Sequence, residues 1–462
     1  MPVLDTLPVA VIGGGPVGLA AAAHLVARGV AVRLYEARPA IGANLRDWGH
    51  VRVFTPWRYC IEATATALLE RQGWRSPVAG AFPTGAELVS DYLEPLAQTP
   101  EMAAVIETDA RVMAISRRGV DKVVSRAREG RPFVLVVQSR EGVRRDLARA
   151  VIDASGTWST PNPLGASGLP AIGEAEFCDR IAYGIPDILG RDRDLYAGEK
   201  TLVVGSGHSA GNALLELAQL AENDSRASLL WATRSADLAR IFSGGDADQL
   251  PARGELGANV RDLVDSGRVT LLTGFAIAAL RRENNRIIVE GETTDGLRRI
   301  GPVDRIIAAT GQRPDLSLTR ELRLDLDPWL ESAKALGPLI DPNLHSCGSV
   351  PPHGHRELAH PEPGFYTVGI KSYGRAPTFL LLTGYEQVRS VAAAIAGDVE
   401  AADDVRLVLP ETGVCTTRRV VTANETAGCC GGPAPAKVDA CCVADALAKD
   451  EGKAGCGCRP AA

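Results

Sequence analysis

The stretch Val11-Ile12-Gly13-Gly14-Gly15-Pro16-Val17-Gly18 joins an apolar run to an alanine-rich one through closely spaced glycines, and it decides the fold. Residues 8–13 read as a strand. Pro16 to Arg28 reads as a helix ended by Gly29, and Ala31 to Tyr35 as a second strand that stops at Glu36. This is a βαβ unit. Gly13 suits the tight turn, Gly15 the close approach of backbone to a pyrophosphate, and Gly18 the close packing of helix on strand. The helix N-terminus turns its free N–H groups to the phosphates. Glu36 is placed to accept hydrogen bonds from a ribose diol.

A second unit repeats the pattern in Val203-Val204-Gly205-Ser206-Gly207-His208-Ser209-Ala210. Lys200 to Val204 reads as a strand, Ser209 to Leu220 as a helix and Ser228 to Thr233 as the next strand. Gly205 and Gly207 match the first two glycines. Ala210 stands for the third, and Ser209 lies in the first helical turn. This second unit ends in Arg234, where the first ends in an acid. A guanidinium there suits a 2′-phosphate, so NADPH is expected rather than NADH.

The rest of the composition narrows the class. The chain has 462 residues, room for two or three domains, and a net charge of −6. It has no electrostatic reason to bind nucleic acid or an anionic membrane, and no apolar run approaches a membrane span. The N-terminus shows no signal-peptide pattern, so a reducing cytoplasm is expected for the thiols. Six of the ten cysteines fall after residue 428.

Two further segments, Val151-Ile152-Asp153-Ala154-Ser155-Gly156 and Arg305-Ile306-Ile307-Ala308-Ala309-Thr310-Gly311, are apolar strands ending in small-residue turns. They flank the second unit, as if a first domain were interrupted by the second. It would finish with Gly364-Phe365-Tyr366-Thr367-Val368-Gly369 and a helix from about Thr378 to Ala396. This layout resembles the two-dinucleotide-binding flavoproteins over roughly residues 5–400. The resemblance implies an α/β fold with two Rossmann-like domains. Residues 1–196 and 301–400 would form an FAD domain and 197–300 an inserted NADPH domain, with 401–462 a C-terminal extension. Residues 423–462 are rich in Ala, Gly, Lys and Cys and poor in large apolar groups, so a flexible, Cys-rich tail is expected there. FAD would sit on the first fingerprint, with Val112 beside the adenine and Thr310, Gly311 and Gly369 also at the cofactors.

Within that superfamily, disulfide reductases carry a cysteine pair either after the first βαβ unit or in the nicotinamide domain. Residues 41–48 and 196–300 contain no cysteine. The turn Ser155-Gly156-Thr157-Trp158-Ser159-Thr160-Pro161 and the second loop resemble flavin monooxygenases instead. The departure is Phe177-Cys178-Asp179-Arg180-Ile181-Ala182-Tyr183, which lacks the glycine and histidine of that family's usual motif. Phe54-Thr55-Pro56-Trp57-Arg58-Tyr59, His360-Pro361-Glu362-Pro363-Gly364-Phe365-Tyr366 and Lys371-Ser372-Tyr373-Gly374-Arg375-Ala376-Pro377-Thr378-Phe379 narrow the match. With the cysteine tail, they resemble the flavoprotein monooxygenases encoded with bacterial arsenic-resistance genes. That resemblance implies NADPH-dependent oxidation of arsenite or methylarsenite by oxygen. Candidates for shaping the flavin face are Arg58, Cys60, Lys371, Tyr373 and Arg375.

Thiolates are soft ligands that suit thiophilic ions. Cys429, Cys430, Cys441, Cys442, Cys456 and Cys458 are therefore candidate metalloid ligands. A short helix from Ala440 to Lys449, capped by Asp439, would lower the thiol pKa of Cys441 and Cys442. His353, His355 and His360 share one Pro-rich loop, which is expected to cover flavin or substrate rather than to hold a metal. Two other functions stay open: an NADPH-dependent reductase of a protein, quinone or small acceptor, and a metalloid carrier on an inactive flavin scaffold. A homodimer also stays open.

Overall fold

The computed structural model describes residues 4–222, 226–242, 251–345 and 350–407. Two five-stranded parallel sheets carry these residues. Across the first, the strands are Phe365–Thr367, Ala150–Asp153, Val9–Ile12, Val32–Tyr35 and Ile106–Glu107. Across the second they are Thr270–Leu272, Ser228–Ala232, Lys200–Val204, Arg305–Ala308 and Ile181–Tyr183. A parallel pair needs a crossover, and helices Pro16–Ala27 and His208–Ala221 supply it after the two central strands. Val9–Ile12 is buried on both faces, so its sequence is apolar without alternation. The second sheet recruits Ile181–Tyr183 and Arg305–Ala308 from either side of the 197–300 span expected for that domain.

Leu19 to Ala23 are fully buried. The small side chains of Ala20 to Ala23 let helix Pro16–Ala27 lie close to helices Ala63–Glu70 and Leu381–Ala396. Two antiparallel three-stranded sheets are inserted. In Arg111–Arg117, Phe133–Ser139 and Gly142–Ala148, the alternate residues Phe133, Leu135 and Val137 enter the core. In Ala276–Glu283, Arg286–Thr293 and Gly296–Val303, the first hairpin turns on Asn284 and Asn285. Their φ values of 47° and 62° are what a two-residue turn between right-twisted strands demands.

The chain passes twice between the two parallel sheets, and the passages travel together. Pro161 pairs with Gln312, Asn162 N donates to Gly311 O at 2.9 Å, and Thr157 Oγ1 donates to Gln312 Oε1 at 3.1 Å. No helix among the described residues is long and apolar enough to cross a membrane. The six tail cysteines and the Ala440–Lys449 helix lie outside the described residues.

Candidate functional site

In the first loop, Gly13 N donates to Tyr35 O at 2.8 Å. Gly13 has φ +104°, and a Cβ there would meet the Ala154 carbonyl oxygen at 2.6 Å. A Cβ on Gly18 would lie 1.9 Å from the Gly13 oxygen. Gly15 is the reverse case. It caps helix Pro16–Ala27 with no side-chain hydrogen bond, and nothing lies within 4 Å of where its Cβ would be. The helix N-terminus thus opens onto empty space of the kind a pyrophosphate fills. Glu36 stands beside it: Oε2 accepts from Gly14 N at 2.7 Å and Oε1 from Arg38 N at 2.9 Å. Each oxygen keeps a lone pair for a ribose hydroxyl. Ala110 N donates to Glu36 O at 2.9 Å, which brings the strand carrying half-buried Val112 to this end of the sheet.

The second loop repeats the arrangement. Gly205 has φ +128°, and a Cβ there would meet the Ala309 oxygen at 2.3 Å. Gly207 caps helix His208–Ala221 without a side-chain bond and also faces open space. Ala210 is fully buried in the first turn, one position past Ser209. Trp231 Nε1 donates to Gly205 O at 2.7 Å and fixes the loop, a role its place in an apolar strand did not announce. Strand pairing puts Val204 opposite Ala232 as it puts Ile12 opposite Tyr35. The residue equivalent to Glu36 is therefore buried Thr233, and Arg234 stands one residue further, exposed, with Nη1 donating to Ala166 O at 2.8 Å.

Both open cradles support a functional test. Gly15→Val and Gly207→Val place a side chain in empty space, on backbone that any residue adopts, so both variants should fold. If the first loop holds FAD and the second NADPH, as expected from the sequence, Gly15→Val should lose bound flavin, with affinity down at least about 100-fold, or ~2.7 kcal/mol, and Gly207→Val should stay yellow while its reduction by NADPH fails. Flavin retained by the first variant would remove the FAD assignment of that loop.

Beyond the loops, the Ser155-to-Trp158 turn and the Gly369 turn meet. Lys371 Nζ donates to Asp153 Oδ2 at 2.8 Å and to Ser155 Oγ at 2.9 Å, and Ser155 Oγ donates to Asp153 Oδ1 at 2.7 Å. Lys371 is 2% exposed, so its ammonium is directed into the protein to join two turns rather than outward. Gly369, at φ +69°, donates its N–H to Gln387 Oε1 at 2.8 Å. Gln387 Nε2 in turn donates to His353 Nε2 at 3.1 Å, and His353 Nδ1 donates to Pro351 O at 2.9 Å. Burial lowers the His353 pKa and keeps the ring neutral, as this chain of bonds requires. Trp158 Nε1 donates to Asp47 Oδ2 at 2.9 Å, and Asp47 is also held by Arg38 at 2.6 Å. The Arg38 hydrogen bond keeps the Asp47 carboxyl below the usual carboxylate range.

The five flavin-face candidates occupy different settings. Lys371, Cys60 and Tyr373 are buried, whereas Arg58 and Arg375 are exposed. Burial pushes the Cys60 thiol up to about 11, so it is not a thiolate at neutral pH. Arg375 pairs with Glu331 at 2.9 Å, and Arg58 lies over the neighbouring Tyr59 ring. Thr310 Oγ1 donates to Asn162 O at 2.6 Å, and Gly311 has φ +81°, so both serve the paired passages between the sheets. The three histidines of the Pro-rich loop part company. His353 is buried under the Gly369 turn, His355 meets Asp403 at 2.8 Å, and His360 lies against Phe365. No cluster of His, Cys, Asp or Glu among the described residues could hold a metal ion.

A family model for an NAD(P)-binding Rossmann-like domain matches residues 11–68. No curated protein matches the chain by sequence. Bacillithiol disulfide reductase Bdr (YpdA) from Bacillus cereus is similar in structure, with a TM-score of 0.63 at 17% identity, over 85% of this chain and 99% of that one. A mutant flavin monooxygenase from Stenotrophomonas maltophilia gives 0.55 at 20% identity, over 85% and 99%. The FAD-bound cadaverine monooxygenase DfoA from Erwinia amylovora gives 0.58 at 13%, over 87% and 96%. The fold is that of disulfide reductases and flavin monooxygenases.

Proposed function

We propose that the chain is an FAD- and NADPH-dependent monooxygenase that oxidises trivalent arsenicals, arsenite or methylarsenite, to pentavalent forms. The observation that carries the two-cofactor reading is the pair of open, glycine-lined helix N-termini, one on each parallel sheet of a single compact unit. When bound, the flavin supplies the redox and oxygen-activating chemistry. The chain's own residues bind and orient. Glu36 holds the ribose of FAD, Lys371 fixes the two turns beside it through Asp153 and Ser155, and Arg234 meets the 2′-phosphate of NADPH.

A dithiol relay is disfavoured by the lack of cysteine in 41–48 and 196–300. Among the described residues the free cysteines are buried Cys60 and exposed Cys178. The arsenical rests on the three close cysteine pairs of the tail and on softness matching. The test is NADPH oxidation and oxygen uptake by the yellow protein, with and without arsenite or methylarsenite, while pentavalent product is followed. Arsenical should accelerate both, with product one-to-one with NADPH. Turnover that ignores arsenical and yields only peroxide overturns the substrate. Turnover only with quinone, thiol or dye acceptors turns the reading to a reductase.

Two further outcomes are expected. Deleting residues 423–462 should raise KM for arsenical and leave NADPH oxidation with an artificial acceptor unchanged. Arg234→Gln should raise KM for NADPH at least about tenfold, the loss of one hydrogen bond to a charged group, with KM for NADH unchanged. Equal effects on both nucleotides would remove the 2′-phosphate contact.

A further inference from the structure

On the two-cofactor reading, hydride crosses between cradles that stand on different sheets, so the angle between the sheets decides the reacting geometry. The two passages that join the sheets are tied into one ribbon. Pro161 pairs with Gln312, Asn162 N donates to Gly311 O at 2.9 Å, and Arg313 N donates to Thr160 O at 3.0 Å. The Asn162 side chain adds two bonds: Nδ2 donates to Thr310 O at 3.1 Å, and Oδ1 accepts from Arg313 Nε at 2.9 Å. Two short passages tied in this way act as a single hinge, which leaves rotation about its own line open. Something away from that line has to stop it.

Trp158 lies in the first passage, and its half-buried indole leaves the ribbon. On one side Nε1 donates to Asp47 Oδ2 at 2.9 Å. Asp47 ends the short helix Ala43–Asp47, which follows the first cradle's second strand. Arg38 holds both of its oxygens, at 2.6 and 3.0 Å, and Arg38 N in turn donates to Glu36. A carboxylate acceptor makes the indole bond short and directional. On the other side the six-membered ring meets Gly184, the residue after strand Ile181–Tyr183 of the second sheet. Gly184 N donates to Ala308 O at 3.1 Å, and a Cβ there would lie 3.1 Å from Trp158 Cη2. Seven residues beyond Asp47 the same first-unit stretch reaches the second cradle itself. The Phe54 ring meets His208, the first residue of that cradle's helix, edge-on at 5.3 Å between centroids.

We infer that Trp158 is a positioning residue for hydride transfer: its indole, fixed to Asp47 of the first unit and laid against Gly184 of the second, blocks rotation about the ribbon and sets the angle between the two cradles. The inference rests on NADPH reducing FAD across the cradles and is independent of the arsenical. Trp158 acts through Asp47 and Gly184, not on the reacting atoms.

The test is anaerobic single-turnover reduction of the flavin-loaded full chain by NADPH, with backbone hydrogen exchange measured beside it. Trp158→Phe keeps a ring against Gly184 and removes the donor, and Asp47→Ala removes the acceptor. Each should lower the limiting rate of flavin reduction at least about tenfold, because small misplacements of reacting groups are costly. In Trp158→Phe the half-saturating NADPH, the flavin content and reduction by dithionite should stay as in the parent. The double variant should be no slower than the slower single one, since both substitutions remove the same bond. The amides of Asn162 and Arg313 should exchange faster in the variants, with those of the central strands Val9–Ile12 and Lys200–Val204 unchanged. That pattern separates a loosened hinge from a general loss of stability. Limiting rates equal to the parent's, single effects that multiply in the double variant, or unchanged exchange at Asn162 and Arg313 each overturn the role of Trp158. A parent that binds flavin but is not reduced by NADPH overturns the two-cofactor reading and this role with it.

Discussion

Lys371→Met should destabilise the folded protein by about 3–5 kcal/mol, the usual effect of removing one partner from a buried ion pair. Native proteins have only about 5–15 kcal/mol in hand. The ammonium lies 2.8 Å from Asp153 Oδ2, and both side chains are at most 2% exposed. Without it, Asp153 keeps only the Ser155 hydroxyl and N–H, both on Oδ1, and Oδ2 is left buried and unpaired. The pair also joins the Ser155 turn to the Gly369 turn, so flavin content should fall with stability. Urea unfolding and bound FAD per chain are the measurements. The double variant Asp153→Asn with Lys371→Met should recover much of the loss, because an apolar–neutral pair has no uncompensated charge. A single variant within about 1 kcal/mol of the parent, a typical value for an exposed pair, would falsify this role.

Glu362→Gln should cost a comparable amount, about 3–5 kcal/mol. Glu362 is 1% exposed and sits between two buried arginines. Oε1 accepts from Arg117 Nε at 2.7 Å, and Oε2 accepts from Arg128 Nη2 at 2.8 Å and from Arg323 N at 3.1 Å. Arg117 also lies 3.6 Å over the Phe133 ring. Removing the acid leaves two guanidiniums facing each other out of water. Burial raises the Glu362 carboxyl, but the hydrogen bonds from Arg128 and Arg117 outweigh it, and the group titrates below the usual carboxylate range. A carboxyl depressed on folding contributes stability that is fully present above its unfolded value, about 4.3. That contribution is lost as pH falls through the lower folded value. The stability gap between parent and Glu362→Gln should thus be widest near neutrality and close in acid. A gap that stays constant from pH 7 down to pH 3 would show that the charge is not what matters.

Glu362 also shows how far a linear reading goes. In the sequence it belongs to a motif, His360-Pro361-Glu362-Pro363, that carries a family likeness and no stated job. Its job is visible only because Arg117 and Arg128, more than 230 positions away, arrive at the same place. The same holds for Lys371. Its residue type suggested a charge facing the flavin, and its partner Asp153 is 218 positions away. Arg234 shows the limit at single-residue scale. The end of a strand reads from sequence to within a residue or so, and here pairing with Val204 places Thr233, not Arg234, at the position of Glu36.

The sequence by itself determined the elements whose causes are local. The glycine spacing, the apolar strands and the alanine run specify the two βαβ units, because a left-handed turn, a close approach and a buried helix face each restrict the residue at one position. It also determined the acid at Glu36, which ends its strand beside the loop it serves. The tertiary structure decided which strands join which sheet, and it sent Ile181–Tyr183 and Arg305–Ala308 to the second. It also decided that Cys60, Tyr373 and Lys371 are buried while Arg58 and Arg375 are not, and that Trp158 meets Asp47. These outcomes depend on contacts between residues far apart in the chain. Burial and partner choice are set by what packs against a residue, and its neighbours in sequence carry no record of that.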